Sequence, residues 1–371
     1  MNIVVVGGGV ASCFFSILMK RKYKDASITI IESASKLLKR VLVSGNGRAN
    51  FFNSNFLSDD IYKYVYPYNE YRRLLNKEDA KEVLSFLKDE LHFEFFEDDE
   101  KRMYPFANTS ESLYQVLVNE ISHLKIKVEL NSKVDDIDYN NKIVSYSGKT
   151  VKYDLVYIGV GGYSYDREFN SNSSFLKPFV KEKYSPSLCP IITKEKIPSY
   201  LVGKRVKCLI SLFKNDIEIY KEQGEVIFKK DGLSGIAIFN VSSYVNNEDR
   251  YVIKLDISQN GYKKINVDLA HLDGYFPSYI VKYIKERKIK DVTDIAFNFK
   301  GKYDYKDSQL TSGGVAVNKL NKDFSYASNK EVLFGGEVIS LHGRCGGYNI
   351  GLALLEAYKS YKLLSTFKSR L

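Results

Sequence analysis

The apolar positions at the start of the chain do not alternate: Ile3-Val4-Val5-Val6 runs unbroken, stops at Gly7-Gly8-Gly9, and resumes at Val10-Ala11 in a stretch that reaches Met19. A short continuous run of β-branched residues predicts a strand buried on both faces, the glycines a tight turn and the longer run a helix. Ser27-Ile28-Thr29-Ile30-Ile31-Glu32 predicts a second strand with an acid at its end. This is the arrangement of a dinucleotide site. Gly7 makes the turn, Gly9 allows a pyrophosphate to approach the backbone, and Ser12 takes the third, closely packed position of the G-x-G-x-x-G fingerprint. The helix opening at Val10, Ala11 and Ser12 turns unpaired N–H groups and its positive dipole end toward the phosphates. Glu32, about 20 residues beyond Ser12, offers a carboxylate to ribose hydroxyls, with Ser33 beside it.

Further along, the apolar spacing predicts a helix over 78–91, a strand over 93–97, and a helix capped by Ser110 with Leu113, Val116, Leu117 and Ile121 on one face. Strands are expected near 126–130 and 132–137, and two more near 142–146 and 151–153 complete a small crossover hairpin. The run 62–76 is rich in tyrosine and predicts no element. Tyr153-Asp154-Leu155-Val156-Tyr157-Ile158 reads as a buried strand ending in Gly159, Gly161 and Gly162. From Pro190 the period changes to short alternating strands, 206–213, 217–220 and 224–228 among them, which predicts a β-barrel-like insert. One or two helices are expected within 266–300. Thr311-Ser312-Gly313-Gly314-Val315 returns the chain to the first domain. Val332-Leu333-Phe334-Gly335-Gly336-Glu337 is another strand ending in glycines and an acid, and Gly346-Gly347-Tyr348-Asn349 opens a final helix with Ile350, Ala353, Leu354, Ala357 and Tyr361 on one face.

Composition narrows the class. The 371 residues suffice for two or three domains, and 44% hydrophobic with 27% charged residues is the balance of a soluble globular protein. The net charge of +10 is dispersed along the chain, which favours a solvated basic surface over a nucleic-acid stripe. Cys13, Cys189, Cys208 and Cys345 share no C-x-x-C spacing and fit reduced cytosolic thiols, and the four histidines form no ligand cluster, so no metal is expected. The apolar start is not expected to be a secretory signal: no basic residue precedes it, glycines interrupt it, and Lys20-Arg21-Lys22 follows it. No run approaches a membrane span.

Several motifs carry a resemblance. The loop Ser44-Gly45-Asn46-Gly47-Arg48-Ala49-Asn50, preceded by Lys39 and Arg40, resembles the I-S-G-G-G-R-C-N loop and basic pair of the YhiN/BaiN-like (HI0933-like) flavoprotein family, with Asn46 for the middle glycine and Ala49 for the cysteine. Arg102 with Met103-Tyr104-Pro105 resembles its G-R-V-F-P, Gly224-Glu225-Val226-Ile227-Phe228 its G-E-L-L-F, Phe334-Gly335-Gly336-Glu337 its Y-F-A-G-E, and Gly346-Gly347-Tyr348-Asn349 its terminal helix opening. The resemblance covers nearly the whole chain. It implies a two-dinucleotide-binding-type Rossmann FAD domain of class α/β, with a β-barrel-like insert and a reduced helical subdomain, divided as 1–186, 187–306 and 307–371. It further implies FAD as cofactor and NADH or NADPH as an electron donor. The implied contacts are Gly7, Gly9, Val10, Ala11, Ser12, Glu32, Ser33, Lys39, Arg40, Ser44, Gly45, Gly47, Arg48, Asn50, the backbone of Val134 at the adenine, Gly161, Gly162, Gly336, Glu337, and Gly346, Gly347, Tyr348, Asn349 and Ile350 near the flavin.

Some points stay open on the residues. Arg102 reads equally as a substrate-facing cation and as a surface arginine beside a turn. His342 stands where the family has an acid; a titratable group near the flavin is one reading and a solvent-facing loop histidine the commoner one. The segment 164–174, with Asp166, Arg167 and Asn172, is shorter than in the family, which implies a remodelled substrate-side wall. The first functional reading is an FAD-dependent oxidoreductase of unknown substrate and with no catalytic residue named. A flavoprotein acting on RNA and a non-catalytic flavin-binding protein are the alternatives, the one supported by the basic balance alone, the other by the altered loop and trimmed insert.

Overall fold

The computed structural model describes residues 1–67, 74–164, 174–261 and 263–368. Asp166, Arg167 and Asn172 lie outside them. The chain divides into two compact units, one made of Met1–Tyr163, the region up to Ser185 and the chain from Ser312 on, the other of Pro186–Thr311 with Ser164.

In chain order the first unit contains β1 (Asn2–Val6), α1 (Val10–Lys22), β2 (Ser27–Ile31), α2 (Lys39–Val43), α3 (Lys77–Ser85), α4 (Ser110–His123), β3 (Lys127–Glu129), β4 (Val134–Asp138), β5 (Leu155–Ile158), β6 (Asn329–Phe334) and α5 (Tyr348–Lys368). Its main sheet has the order Ser325–Tyr326, β6, β5, β1, β2, β3. All neighbours are parallel except the Ser325–Tyr326 edge. Val4 pairs with Val156 on one side and Thr29 on the other, so the chain reverses its direction of travel across the sheet at β1. A crevice at the carboxyl end of such a switch point is where open α/β sheets bind ligands. Ile3 to Val6 are buried, as their unbroken apolar run requires. Helix α1 is buried from Ala11 to Met19 and packs against α5 and α4, while Lys20, Arg21 and Lys22 complement the negative dipole end of its last turn. Strand β4 belongs to a separate antiparallel sheet with Ile143–Tyr146 and Lys149–Lys152, the expected hairpin.

The second unit is a closed antiparallel barrel in the order Ile191–Thr193, Gly232–Ser234, Ile217–Lys229, Arg205–Lys214, Tyr251–Asp256, Ile295–Lys302. One expectation needs correction here. The segments 217–220 and 224–228 are one strand, because Gly224 is a packing glycine: a Cβ there would lie 2.5 Å from the Ala237 Cβ of the helix Ile236–Ser242. The region 266–300 holds one α-helix, Ser278–Arg287, within the one or two expected, and its end is a strand that closes the barrel, with Phe297 fully buried. In the first unit the cap of α4 is Thr109, whose hydroxyl accepts from Glu111 N, whereas Ser110 donates to Leu42 O of α2. Among the described residues no helix is long and apolar enough to cross a membrane, and no cluster of histidine, cysteine and acidic side chains could hold a metal ion.

Helix α3 is tied to α5 by charge. Asp79 is 1% exposed and accepts from Lys359 Nζ at 2.6 Å and Lys362 Nζ at 3.2 Å. Removing one partner of a buried pair leaves the other charge uncompensated, which outweighs the value of the pair itself. Asp79→Ala is therefore expected to lower stability by about 3 kcal/mol, measured as a shift of the urea midpoint, and Asp79→Asn by less. An unchanged midpoint for Asp79→Ala would show the pair to be incidental.

Candidate functional site

Three strand-end glycine segments meet along the carboxyl edge of the main sheet. Gly7 N donates to Ile31 O, Gly159 N to Val6 O and Gly335 N to Ile158 O, each continuing a parallel ladder past the end of its strand. The segments interlock closely. Gly7 has φ +97°, and a Cβ on it would lie 2.4 Å from Gly159 O; a Cβ on Gly159 would lie 2.3 Å from Ser12 Oγ. Ser12 is thus the small residue the third fingerprint position requires, fully buried and with its hydroxyl unpartnered. Gly336, at φ +75°, brings the third segment to the first turn of α1, within 3.6 Å of Ala11 Cβ by the same construction.

Gly9 differs from Gly7. It is the N-cap of α1 with extended backbone and no side-chain cap, and a Cβ built on it meets nothing nearer than Gly159 O at 3.9 Å. The chain itself leaves that space open, in front of the unpaired N–H groups of Val10, Ala11 and Ser12, where an anionic group gains both donors and a favourable dipole. These residues fit a dinucleotide pyrophosphate.

Beside it lies a small cleft lined by Gly7, Glu32, Ser33, Ser132, Val134, Val160 and Phe175. The Glu32 carboxylate, 6% exposed, accepts from Gly8 N at 2.5 Å and Ala34 N at 2.6 Å, and Ser33 Oγ donates to it at 3.2 Å. Its position is fixed by backbone donors of both loops. Arg40 of α2 pairs with Glu337 at 2.5 Å and donates to Gly162 O at 3.1 Å, so one guanidinium joins three of the sequence-predicted segments. Gly161 has φ +78° in the same stretch. Lys39 is exposed beside it.

A second cluster gathers the loop 44–50 and the start of α5. Ser44 Oγ donates to Val41 O, and Gly45, Asn46 and Gly47 all take positive φ, which is why two glycines stand there. With its amide oriented to satisfy both neighbours, Asn50 donates to Phe52 O and accepts from Gly347 N, each at 3.1 Å. Asn53, which the sequence reading passed over, donates to Gly346 O at 2.8 Å. Asn349 accepts from Gly343 N and donates to Arg344 O, holding the preceding loop, and the first N–H groups of α5 at Tyr348, Asn349 and Ile350 precede its first intrahelical bond, Gly351 N to Gly347 O. Gly347 has a role inside the fold: a Cβ there would lie 2.1 Å from Phe52 O, so its missing side chain serves the turn. A Cβ on Gly346 would meet nothing nearer than Arg102 Cδ at 3.8 Å. The Tyr348 ring is buried, stacked on Tyr64 at 5.3 Å. Arg48 turns aside, its guanidinium 4.0 Å over the Tyr104 ring and Nε donating to Asn108. Arg102 is paired with Asp98 and Glu100 on its own hairpin. The loop reading of His342 fails: it is 3% exposed, in a short strand whose partner is Tyr66.

The most unusual group was missed by sequence. Glu356 lies in α5, 1% exposed, with Oε2 accepting from Gly336 N at 2.6 Å. Burial pushes its carboxyl up to about 8, against the opposing pull of the Gly336 N–H. Burial, reinforced by the charge of Glu356, also holds the Tyr157 phenol well above its ordinary value. An acid inside Leu352-Ala353-Leu354-Leu355-Glu356-Ala357 is the signal that was available.

The strand order, the fingerprint turn and the acid at the end of β2 define a Rossmann-type dinucleotide-binding protein, which here also contains a barrel. The chain matches the HI0933-like protein Rossmann domain over residues 1–362, and it belongs to that family. It is 21% identical to the 3-dehydro-bile acid delta(4,6)-reductase of Clostridium scindens, over 96% of this chain and 97% of that one. It is 23% identical to the ribosomal RNA dihydrouridine synthase of Escherichia coli, over 99% and 98%. In fold it is similar to 3-ketosteroid delta1-dehydrogenase from Sterolibacterium denitrificans, with TM-score 0.56, 10% identity and coverage of 98% of this chain and 99% of that chain.

The raised pKa of Glu356 has a signed consequence for stability. A carboxyl that holds its proton more tightly folded than unfolded contributes fully below its ordinary value near 4.5, and that contribution is lost as pH rises from there through about 8. Glu356→Gln keeps an acceptor but cannot ionise. In urea titrations the variant should match wild type near pH 5 and exceed it by a few kcal/mol near pH 8.5; a constant difference across that range would refute the assignment.

Proposed function

We propose that the protein is an FAD-dependent oxidoreductase that draws electrons from NADH or NADPH and passes them to an organic substrate. The observation that carries this reading is the space in front of Gly9: the chain leaves it open, with nothing nearer a Cβ there than Gly159 O at 3.9 Å, at a helix N-terminus that no side chain caps. In this reading Val10, Ala11 and Ser12 bind the pyrophosphate through their N–H groups. Glu32 and Ser33 take the adenosine ribose, Val134 flanks the adenine, and Arg40, Glu337, Gly161, Gly162 and Gly336 line the middle of the cofactor. The start of α5 faces the flavin, where its donors and dipole favour negative charge. Bound FAD would supply two-electron chemistry at the flavin ring, and the chain's part is to hold and orient it. Family membership supports the cofactor, and the reductase name carried by the relative from Clostridium scindens supports the direction of electron flow.

The purified protein is expected to be yellow, to release FAD on denaturation, and to bleach anaerobically with NADH or NADPH. Gly9→Val tests the pyrophosphate placement, since the Cβ it adds meets nothing nearer than Gly159 O at 3.9 Å in the free protein. Its thermal midpoint without cofactor should equal that of wild type, while FAD affinity falls about ten- to a hundredfold. Equal flavin content in both proteins would overturn the proposal.

A further inference from the structure

The fold sets a buried acid directly behind the segment that reaches the cofactor. Glu356 Oε2 accepts the Gly336 proton at 2.6 Å, twenty residues away in the chain and from a different element. Gly336 holds a left-handed backbone, φ +75°, and faces Ala11 in the first turn of α1. The next residue, Glu337, pairs with Arg40, which also binds Gly162 O. The preceding residue, Gly335, is kept without a side chain by Tyr157, whose hydroxyl would lie 1.7 Å from its Cβ. Tyr157 is in turn fixed by stacking on Phe15 of α1 at 4.2 Å. The Gly335-Gly336-Glu337 segment is therefore backed by two buried polar side chains, of which Glu356 bonds the Gly336 N–H, while Gly335 N donates to Ile158 O and Gly336 O accepts from Ile339 N. A helix interior is a costly place for a carboxyl, and an apolar residue would suit the surrounding leucines better if packing were the only demand.

We propose that Glu356 is a positioning residue of the cofactor site: by accepting the Gly336 N–H it fixes the orientation of the Gly335–Gly336 peptide, and through the left-handed Gly336 the alignment of Glu337 with Arg40 beside the first turn of α1. The inference rests on the FAD reading above. Glu356 touches no reacting atom. Its effect passes through one peptide plane, so it is set by the presence of an acceptor at Oε2, and the charge of the acid is dispensable. An amide at this position preserves the effect, whereas an apolar residue of similar volume abolishes it even where the helix packs as well.

The test compares Glu356→Gln, Glu356→Leu and wild type after removal and re-addition of FAD. FAD affinity is followed by quenching of flavin fluorescence, the thermal midpoint of the cofactor-free protein gives the stability of the fold, and the midpoint potential of bound flavin reports on the environment of the ring. Glu356→Gln should bind FAD within about threefold of wild type. Glu356→Leu should bind about tenfold more weakly or worse and shift the potential, with a cofactor-free midpoint no lower than that of wild type. Glu356→Leu binding FAD as tightly as wild type, at the same potential, would overturn the proposal. So would a loss of affinity in Glu356→Gln equal to that in Glu356→Leu, which would assign the effect to the carboxyl itself. Wild type that takes up no FAD would instead overturn the reading on which the inference stands.

Discussion

The close approach of backbone to backbone at the carboxyl edge of the main sheet is the constraint on which the first unit depends. Gly7, Ser12 and Gly159 occupy one another's side-chain space, with hypothetical Cβ contacts of 2.3 to 2.4 Å. Because no atom can be added there, α1 sits tightly against β1 and β5, and its N-terminus is aimed along the sheet edge. The ladder bonds that continue through Gly7, Gly159 and Gly335 then align three loops that are far apart in sequence. Gly9 escapes the squeeze by facing outward. A steric demand on two glycines thus creates the open space at a third.

Much of this was legible in the chain. The runs at 3–6 and 155–158 announce parallel strands because burial on both faces leaves no polar alternation, and the barrel was visible as a change of period near Pro190. What escaped depended on distant partners. Gly224 looked like a strand boundary, yet it is a site of helix contact with Ala237 that local pattern cannot show. His342 read as a loop residue because nothing near it in sequence reveals that Tyr66 will pair with it. Gly347 makes room for Phe52 O, a partner its neighbours in sequence do not reveal, while a Cβ on Gly346 would meet nothing nearer than 3.8 Å. Glu356 was overlooked because its role is set by Gly336, one strand end away.

Polar groups in this unit act mainly by fixing backbone. Asn50, Asn53 and Asn349 each tie a loop to the start of α5, and Glu32 bonds the turns that follow β1 and β2. The Arg40–Glu337 pair has side chains 36% and 18% exposed, so solvent screening limits its worth to stability. Its value is geometric, since a planar guanidinium with a second bond to Gly162 O can hold only one relation between the two loops.

The sheet also sets an order of events during synthesis. Strand β5 finds its neighbour β1 within the first half of the chain, but its other neighbour, β6, and the helix that packs on α1 are translated only after the whole barrel. Pairings so remote in sequence are slow to form, because the entropy of closing the intervening loop is lost before any contact is gained. Until residues beyond Ser312 leave the ribosome, one flank of β5 and one face of α1 have no covering partner, and those apolar surfaces invite chaperones or wrong neighbours. The barrel, contiguous in sequence and closed on itself, can fold in the meantime.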